Sequence, residues 1–338
     1  MTTGPLAAIY GRRPVVDYLG EHPADAVTPF QTSGWWRAWI REASAAERAT
    51  PVLARALSAD GRTLLAGLQV HQDGGQAILR PLSWPWADYH ETASEPARAR
   101  PASANVNPGG QAADVCLLAD SIGRLRRELE AELILDDLLE GGLLERSAVA
   151  LGARSRPSVA VVRLNLAQPD TVRWMTGRGE IRRKRRRLER EGALRHTCAA
   201  APDELALRLP FFINLHAEQW RGRPEAVAPF DGGVVDRTFA AVAAEASSTA
   251  RLDELWLDET LLAGYFGFRH RRTYWAYRTA YDSRRRRDSP GHLLVSSMVA
   301  ALAADGVHTF DLMRGAYPYK LALPGVSART SAVSLPWP

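Results

Sequence analysis

The residues best suited to chemistry crowd together near the C-terminus. The stretch "FDLMRGAYPYKLALPG" (310–325) sets Asp311, Arg314, Tyr317, Tyr319 and Lys320 close together. Lysine is rare in this chain, which holds 41 Arg and only two Lys, Lys184 and Lys320. Lys184 lies inside "RRKRRR", where any cation would serve. Lys320 stands apart, after a tyrosine. Arginine is a planar, permanently charged fork, whereas lysine is a compact point charge whose pKa moves with its surroundings. Either codon drift left Lys320 in place, or the position needs a point charge.

Upstream, "RRRRDSPGHLLVSSMVAALAADG" (284–306) places four arginines before a glycine and an apolar helix. The free amides and positive dipole end of such a helix start hold phosphate. The plainer alternative is an ordinary Pro-Gly helix start behind a solvated arginine run. A second basic stretch carries nine Lys/Arg between Arg178 and Arg195. It could bind RNA phosphates in a salt-dependent way, but it has almost no aromatics to stack bases. A solvated helix face or strut is the reading it favours.

The eight histidines are scattered, and only His216 and His292 fall near these signals. There is no H-E-x-x-H and no zinc-type Cys/His spacing, so no metal is expected. G-x-S-x-G, P-loop and G-x-G-x-x-G patterns are also missing, which argues against hydrolase, NTPase and dinucleotide chemistry.

An internal copy organises the elements that must position these residues. "SADGRTLLAGLQVHQDGGQAILRPL" (58–82) and "LWLDETLLAGYFGFRHRRTYWAYRTA" (255–280) both read as strand, tight turn, "LLAG" strand, polar turn, strand. Each unit ends in an Asp/Tyr pair, Asp88-Tyr89 and Tyr281-Asp282. Each follows a Trp-bearing helical stretch, "SGWWRAWIREA" and "FFINLHAEQW". Duplication explains this frame better than a chance four-letter match. Further along, the spacing predicts a helix from about Gly291 to Ala304 and a strand at 308–313. Residues 91–112, rich in Pro, Ala, Gly and Ser, read as a mobile loop. Strands and helices alternate in both halves, so the class is α/β, or α+β with mixed sheets.

At 338 residues the chain has room for about two domains. Hydrophobic residues make up 46% and charged residues 24%, as in soluble globular proteins. No run reaches the roughly 18 apolar residues of a membrane span, and no secretory signal is evident. Cys116 and Cys198 are too few for a disulfide framework. A cytoplasmic location without membrane contact is therefore expected. Residues 1–169 hold 17 basic and 19 acidic residues (−2), and residues 170–338 hold 26 and 19 (+7). A polyanionic ligand is thus drawn to the second half.

Taken together, "TPFQTSGWWRAW", "LRPLSWPWADY", "IRRKRRRLEREG", "HAEQW", "YRTAYDSRRRRDSPGHLL" and "FDLMRGAYPYK" resemble a known family. They are similar to GNAT-superfamily acyltransferases of the cellulose-biosynthesis-protein type, relatives of the tandem-GNAT Fem aminoacyltransferases. The resemblance spans nearly the whole chain, with two GNAT-like domains implied. These are a degenerate, acceptor-shaping domain at 1–158 and a catalytic, donor-binding domain at 159–338. It implies an N-acyltransferase with no permanently bound cofactor. Acyl-CoA is the implied co-substrate, or aminoacyl-tRNA in the Fem manner, and the acceptor is a small amine. Arg286, Ser289, Gly291 and His292 then fall on the donor loop, with Ser289 where the family has its first glycine. Direct attack of an amine on a thioester needs a base, an oxyanion donor and an acid. On this resemblance Asp311 is the expected base, Tyr319 the acid, and Lys320 holds the acceptor or reacting carbonyl. Asp88, Tyr89, Trp220, Tyr281 and Arg314 are the expected substrate contacts.

Overall fold

A computed structural model describes residues 8–22, 25–95, 108–221, 230, 232–246, 248–315 and 317–338. The chain divides into two compact units, Met1–Val159 with Arg329–Pro338, and Ala160–Ala328. The boundary is therefore not a single cut near residue 158. The chain's end returns to the first unit because Val333, Ser334 and Leu335 pair antiparallel with Leu135, Ile134 and Leu133.

In the first unit, Thr50–Leu57, Thr63–Asp73 and Gln76–Pro81 form an antiparallel meander. The helix Pro108–Glu128 then crosses over to Glu132–Leu138, which pairs parallel with Gln76–Pro81. Of the expected loop at 91–112, Ala93–Glu95 is instead a short strand paired with Asp25–Ala26 and with residues 63–65. Pro108 onward is helical, and residues 96–107 lie outside the described residues.

The second unit repeats that order. Ala250–Leu257, Thr260–His270 and Thr273–Tyr281 form the meander. The helix Pro290–Ala304 crosses to Thr309–Arg314, which pairs parallel with Thr273–Tyr281. Leu194–Ala199 and Arg154–Asn165 flank the two sides of this set. A parallel pair needs such a crossover, and alternating meander and helix is the mixed α/β class.

The crossover helix is apolar on nearly all sides. Leu293, Leu294, Met298, Val299 and Leu302 are buried against Tyr265, Tyr274, Phe310 and Leu312 of the sheet. Each such side chain stabilises by about 1.5–3 kcal/mol when fully buried. On the other face of the meander, Phe212 of the helix Pro202–Trp220 lies over Gly264. Among the described residues no helix is long and apolar enough to cross a membrane, and no group of His, Cys, Asp or Glu is placed to hold a metal.

Candidate active site

Four elements of the second unit converge on one small apolar pocket. The helix Pro169–Gly177 brings Trp174 and Met175, and the basic helix Gly179–Glu191 brings Ile181, with Arg178 at its N-cap. The crossover helix brings His292 and Val295, and the segment 312–323 supplies Leu312, Tyr319 and Leu323. The polar groups at this pocket are few. Arg178 lies over the Trp174 ring at 4.6 Å. The Tyr319 ring is stacked on Tyr317 at 6.1 Å and lies 6.3 Å from His292. An apolar wall with a small number of polar groups is the usual make-up of a ligand site.

Electrostatics divides two of those groups by role. Desolvation, and then the Arg178 and Lys184 charges, hold the His292 imidazole below its ordinary pKa, so it is neutral near pH 7. A neutral imidazole can accept a proton. Burial pushes the Tyr319 phenol up to about 12, against a smaller lowering effect of its hydrogen bond with Tyr265. Tyr319 thus keeps its proton near neutrality and can donate it. One neighbour is ready to take a proton and the other to give one.

The expected donor loop is built as a phosphate cradle would be. Ser289 has φ 52° and ψ 52°, in the left-handed region that glycine enters freely. Pro290 opens the helix without an N–H, and the first intrahelical bond runs from Leu293 N–H to Ser289 O at 3.1 Å. A Cβ on Gly291 would meet nothing within 4 Å, so the backbone there is open to close approach. Arg286 and Arg287 are exposed, while Asp288 is buried and paired with Arg187 and, at 3.1 Å, with Arg285. These residues fit a phosphate-bearing donor.

Lys184 was dismissed on sequence, yet the fold carries it to this loop. Its Nζ donates to Ser289 Oγ at 2.7 Å and pairs with Glu180 at 2.7 Å. The sequence signal is present in hindsight, because 181, 184, 185 and 188 share one helix face. Ile181 and Leu188 on that face are buried, and Arg185 donates to Ser297 Oγ at 2.7 Å. The basic stretch is thus docked along one side, while Arg182, Arg183, Arg186 and Arg190 are exposed.

Two expected catalytic residues are placed elsewhere. Asp311 is fully buried, accepting from Arg163 Nε at 2.8 Å and from the Met313 N–H at 2.8 Å. Alternation along the strand turns Leu312 into the pocket and Asp311 to the opposite face. It is an internal anchor, not a base open to an amine. Lys320 is also buried, and its ammonium donates to the carbonyls of Leu312 at 2.6 Å, Met313 at 3.3 Å and Arg314 at 2.7 Å. Register breaks between Asp311 and Arg314, and Met313 has φ 61°, so three carbonyls converge beyond normal pairing. Three protons on one tetrahedral nitrogen suit that task, and a planar guanidinium does not. This answers why the position is lysine, and the reason is structural.

The expected substrate contacts are scattered. Asp88 and Tyr89 are buried in the first unit, where the neighbouring His90 backbone bridges to Asp137 and Leu139. Trp220 ends the helix Pro202–Trp220, and Gln219 beside it accepts from the Tyr281 N–H at 2.7 Å. Arg314 is half-buried, with its carbonyl taken by Lys320. Neither Trp220 nor Tyr281 lines the Tyr319 pocket.

Residues 176–321 match the model of the acetyltransferase (GNAT) domain. The chain carries an acyltransferase domain. The match contains His292, Tyr319 and the loop before Gly291. No curated protein matches the sequence. Among solved structures, FemX is similar over 95% of this chain and 95% of its own, with a TM-score of 0.60 and 11% identity. L-PGS from Bacillus licheniformis is similar over 95% and 90%, with a TM-score of 0.56 and 12% identity. At these identities the likeness is one of fold.

Proposed function

We propose that the second unit is an N-acyltransferase that moves an acyl group from a phosphate-bearing donor to the amine of a small acceptor. One observation carries this reading: His292 and Tyr319, their rings 6.3 Å apart, line one apolar pocket beside a helix start open to phosphate. Acyl-CoA supplies an activated thioester and a pyrophosphate handle. The Gly291 and His292 amides and the exposed Arg286 and Arg287 hold the handle, and the wall of Trp174, Met175, Ile181, Val295 and Leu312 takes the apolar arm. The acceptor nitrogen attacks the donor carbonyl, so a C–N bond forms and the C–S bond breaks. His292 takes the proton lost by nitrogen, and Tyr319 gives its proton to the departing sulfur. Solvent exchange returns both side chains to their starting states. Amine and thioester become amide and thiol, with no other reactant.

A second reading keeps the residues and changes the donor to aminoacyl-tRNA, with a C–O bond breaking in place of C–S. The exposed Arg182, Arg183, Arg186 and Arg190 favour it, and FemX shares the fold. Within the superfamily we place the chain with the cellulose-biosynthesis-protein type, and we read the first unit as a non-catalytic, acceptor-shaping copy. The cytoplasm is the compartment this chemistry implies.

Calorimetric binding of CoA, acetyl-CoA and bulk aminoacyl-tRNA, at two salt concentrations, tests the donor. Tyr319→Phe should then lower turnover on the donor that binds by about 10²–10⁴, with donor affinity unchanged. Turnover at the wild-type rate in Tyr319→Phe would remove it from the chemistry.

A further inference from the structure

A serine at the start of a helix ordinarily caps it. Its backbone is extended there, and its hydroxyl accepts from the second or third helical N–H. Ser289, ahead of the helix Pro290–Ala304, does neither: its backbone is left-handed and its side chain makes no capping bond. Pro290 opens the helix and has no N–H to offer. Gly291 and His292, the second and third positions, therefore carry the amides that a capping serine would cover.

The Ser289 hydroxyl is engaged by the basic helix Gly179–Glu191 instead. It accepts from Lys184 Nζ at 2.7 Å, and Glu180, one turn back, holds that ammonium at 2.7 Å. The same helix grips the residue before the serine, because Arg187, three positions on from Lys184, pairs with the buried Asp288. Arg285 pairs with Asp288 at 3.1 Å and also reaches Glu191 of the basic helix. The side chains of Asp288 and Ser289 thus turn to a neighbouring helix and not to the one they precede. A residue with a Cβ does not favour the left-handed conformation, and self-capping is the common arrangement for serine. A bond from an ammonium is about twice as strong as a neutral one, which tips the balance toward Lys184.

We propose that Lys184 is a positioning residue of the donor loop: it draws the Ser289 hydroxyl away from the helix start, so that the Gly291 and His292 amides stay open to phosphate. The value of those amides to a ligand rests on the proposed donor site. The direction of the hydroxyl does not.

The test measures solvent exchange of the Gly291 and His292 amides by NMR in the ligand-free protein. Lys184→Met, Ser289→Gly and the double variant are compared with wild type. Methionine keeps most of the stem and removes the ammonium, and thermal melts check folding. In Lys184→Met the released hydroxyl should return to the helix start and slow exchange at one of the two amides by about fivefold. With glycine there is no hydroxyl to return, so the double variant should exchange as Ser289→Gly does. Faster exchange in Lys184→Met would mean that the lysine merely braces the loop, and unchanged exchange would mean that the hydroxyl does not cap when released; either overturns the proposal. Calorimetric affinity for CoA gives the functional readout. Loss of the charge weakens CoA in both backgrounds, but Lys184→Met should cost about fivefold more with Ser289 present than with glycine in its place. Equal costs would make Lys184 a plain counter-charge and overturn its positioning role. If CoA does not bind the wild-type protein, the acyl-CoA reading fails, while the exchange rates still decide what Lys184 does.

Discussion

The two units share a frame down to single residues, and they part where chemistry is expected. In the first, a Cβ on Gly67 would lie 2.5 Å from the Trp36 ring of the helix Ser33–Glu42. In the second, a Cβ on Gly264 would lie 2.6 Å from the Phe212 ring of the helix Pro202–Trp220. Both glycines are the last letter of "LLAG", so the repeated string is the imprint of one packing solution: an aromatic of the preceding helix pressed onto bare backbone. Four residues on, the helices diverge. Ile40 in the first unit is fully buried and apolar, whereas His216 in the second is buried with Nδ1 unpartnered among the described residues. The crossover helices diverge more. Ser289 and an arginine run precede the second, which lines the pocket of His292 and Tyr319. Common scaffold positions hold the fold, and the divergent ones carry polarity.

Equivalence of the two glycines is the part of the comparison most easily broken. Gly67→Val and Gly264→Val should each destabilise by about 1–3 kcal/mol or more, because the ring has no free space to yield into. Gly291→Ala, whose Cβ meets open space, should stay within about 0.5 kcal/mol of wild type. Urea midpoints of the three variants would settle the matter. A first unit that accepts valine at Gly67 as readily as alanine at Gly291 would mean that "LLAG" recurs without a shared packing cause.

That contrast also explains which features were legible in the sequence. Meander, crossover helix and following strand are written in local periodicity and turn residues, so both units could be outlined from the chain alone. The helix behind Gly291 followed from the same local signals, whereas His292 and Tyr319 were singled out only through the family resemblance. Asp311 and Lys320 misled because residue type says nothing about which face of a strand is turned inward, or about a bulge that leaves carbonyls converging. Lys184 misled in the other direction. Within an arginine run its identity looked idle, and only helix phase against the crossover helix shows that it meets Ser289. Asp88-Tyr89 and Tyr281-Asp282 match in letters and in the burial of both aspartates, but Tyr89 is fully buried and Tyr281 only half-buried, a difference set by tertiary packing.

The lysines give the next test. Lys320→Arg should cost about 2 kcal/mol, as charge-assisted bonds to the Leu312 and Arg314 carbonyls are lost to a poorly fitting fork. Lys184→Arg should stay close to wild type in stability, since its nitrogen sits at a partly exposed edge. Thermal melts, with turnover measured beside them, separate the roles. If Lys320→Arg melted like wild type yet lost turnover, the ammonium would be acting on a ligand and its three carbonyls would be incidental.

The smallest expected effect sharpens the Ile40–His216 difference. Burial, and then the Arg278 charge, push His216 down to about 3, against an ordinary value near 6.5. Its ring is enclosed by Phe230 at 4.9 Å, edge to face, and by Phe212 and Trp220. Between those two pKa values the unfolded chain binds a proton that the folded one refuses. Stability must therefore fall as pH drops below about 6.5, and it stops falling only near 3. From pH 7.5 to 5.5 this one residue should remove about 1.4 kcal/mol. His216→Ile, which copies the first unit, should abolish that share of the pH dependence while leaving the pocket residues untouched. Ile40→His in a folded protein should import the same dependence into the first unit. Urea unfolding at both pH values reads the double difference directly. If wild type and His216→Ile lose stability in parallel, then His216 is protonated in the folded state, and the polar divergence between the helices has no energetic consequence.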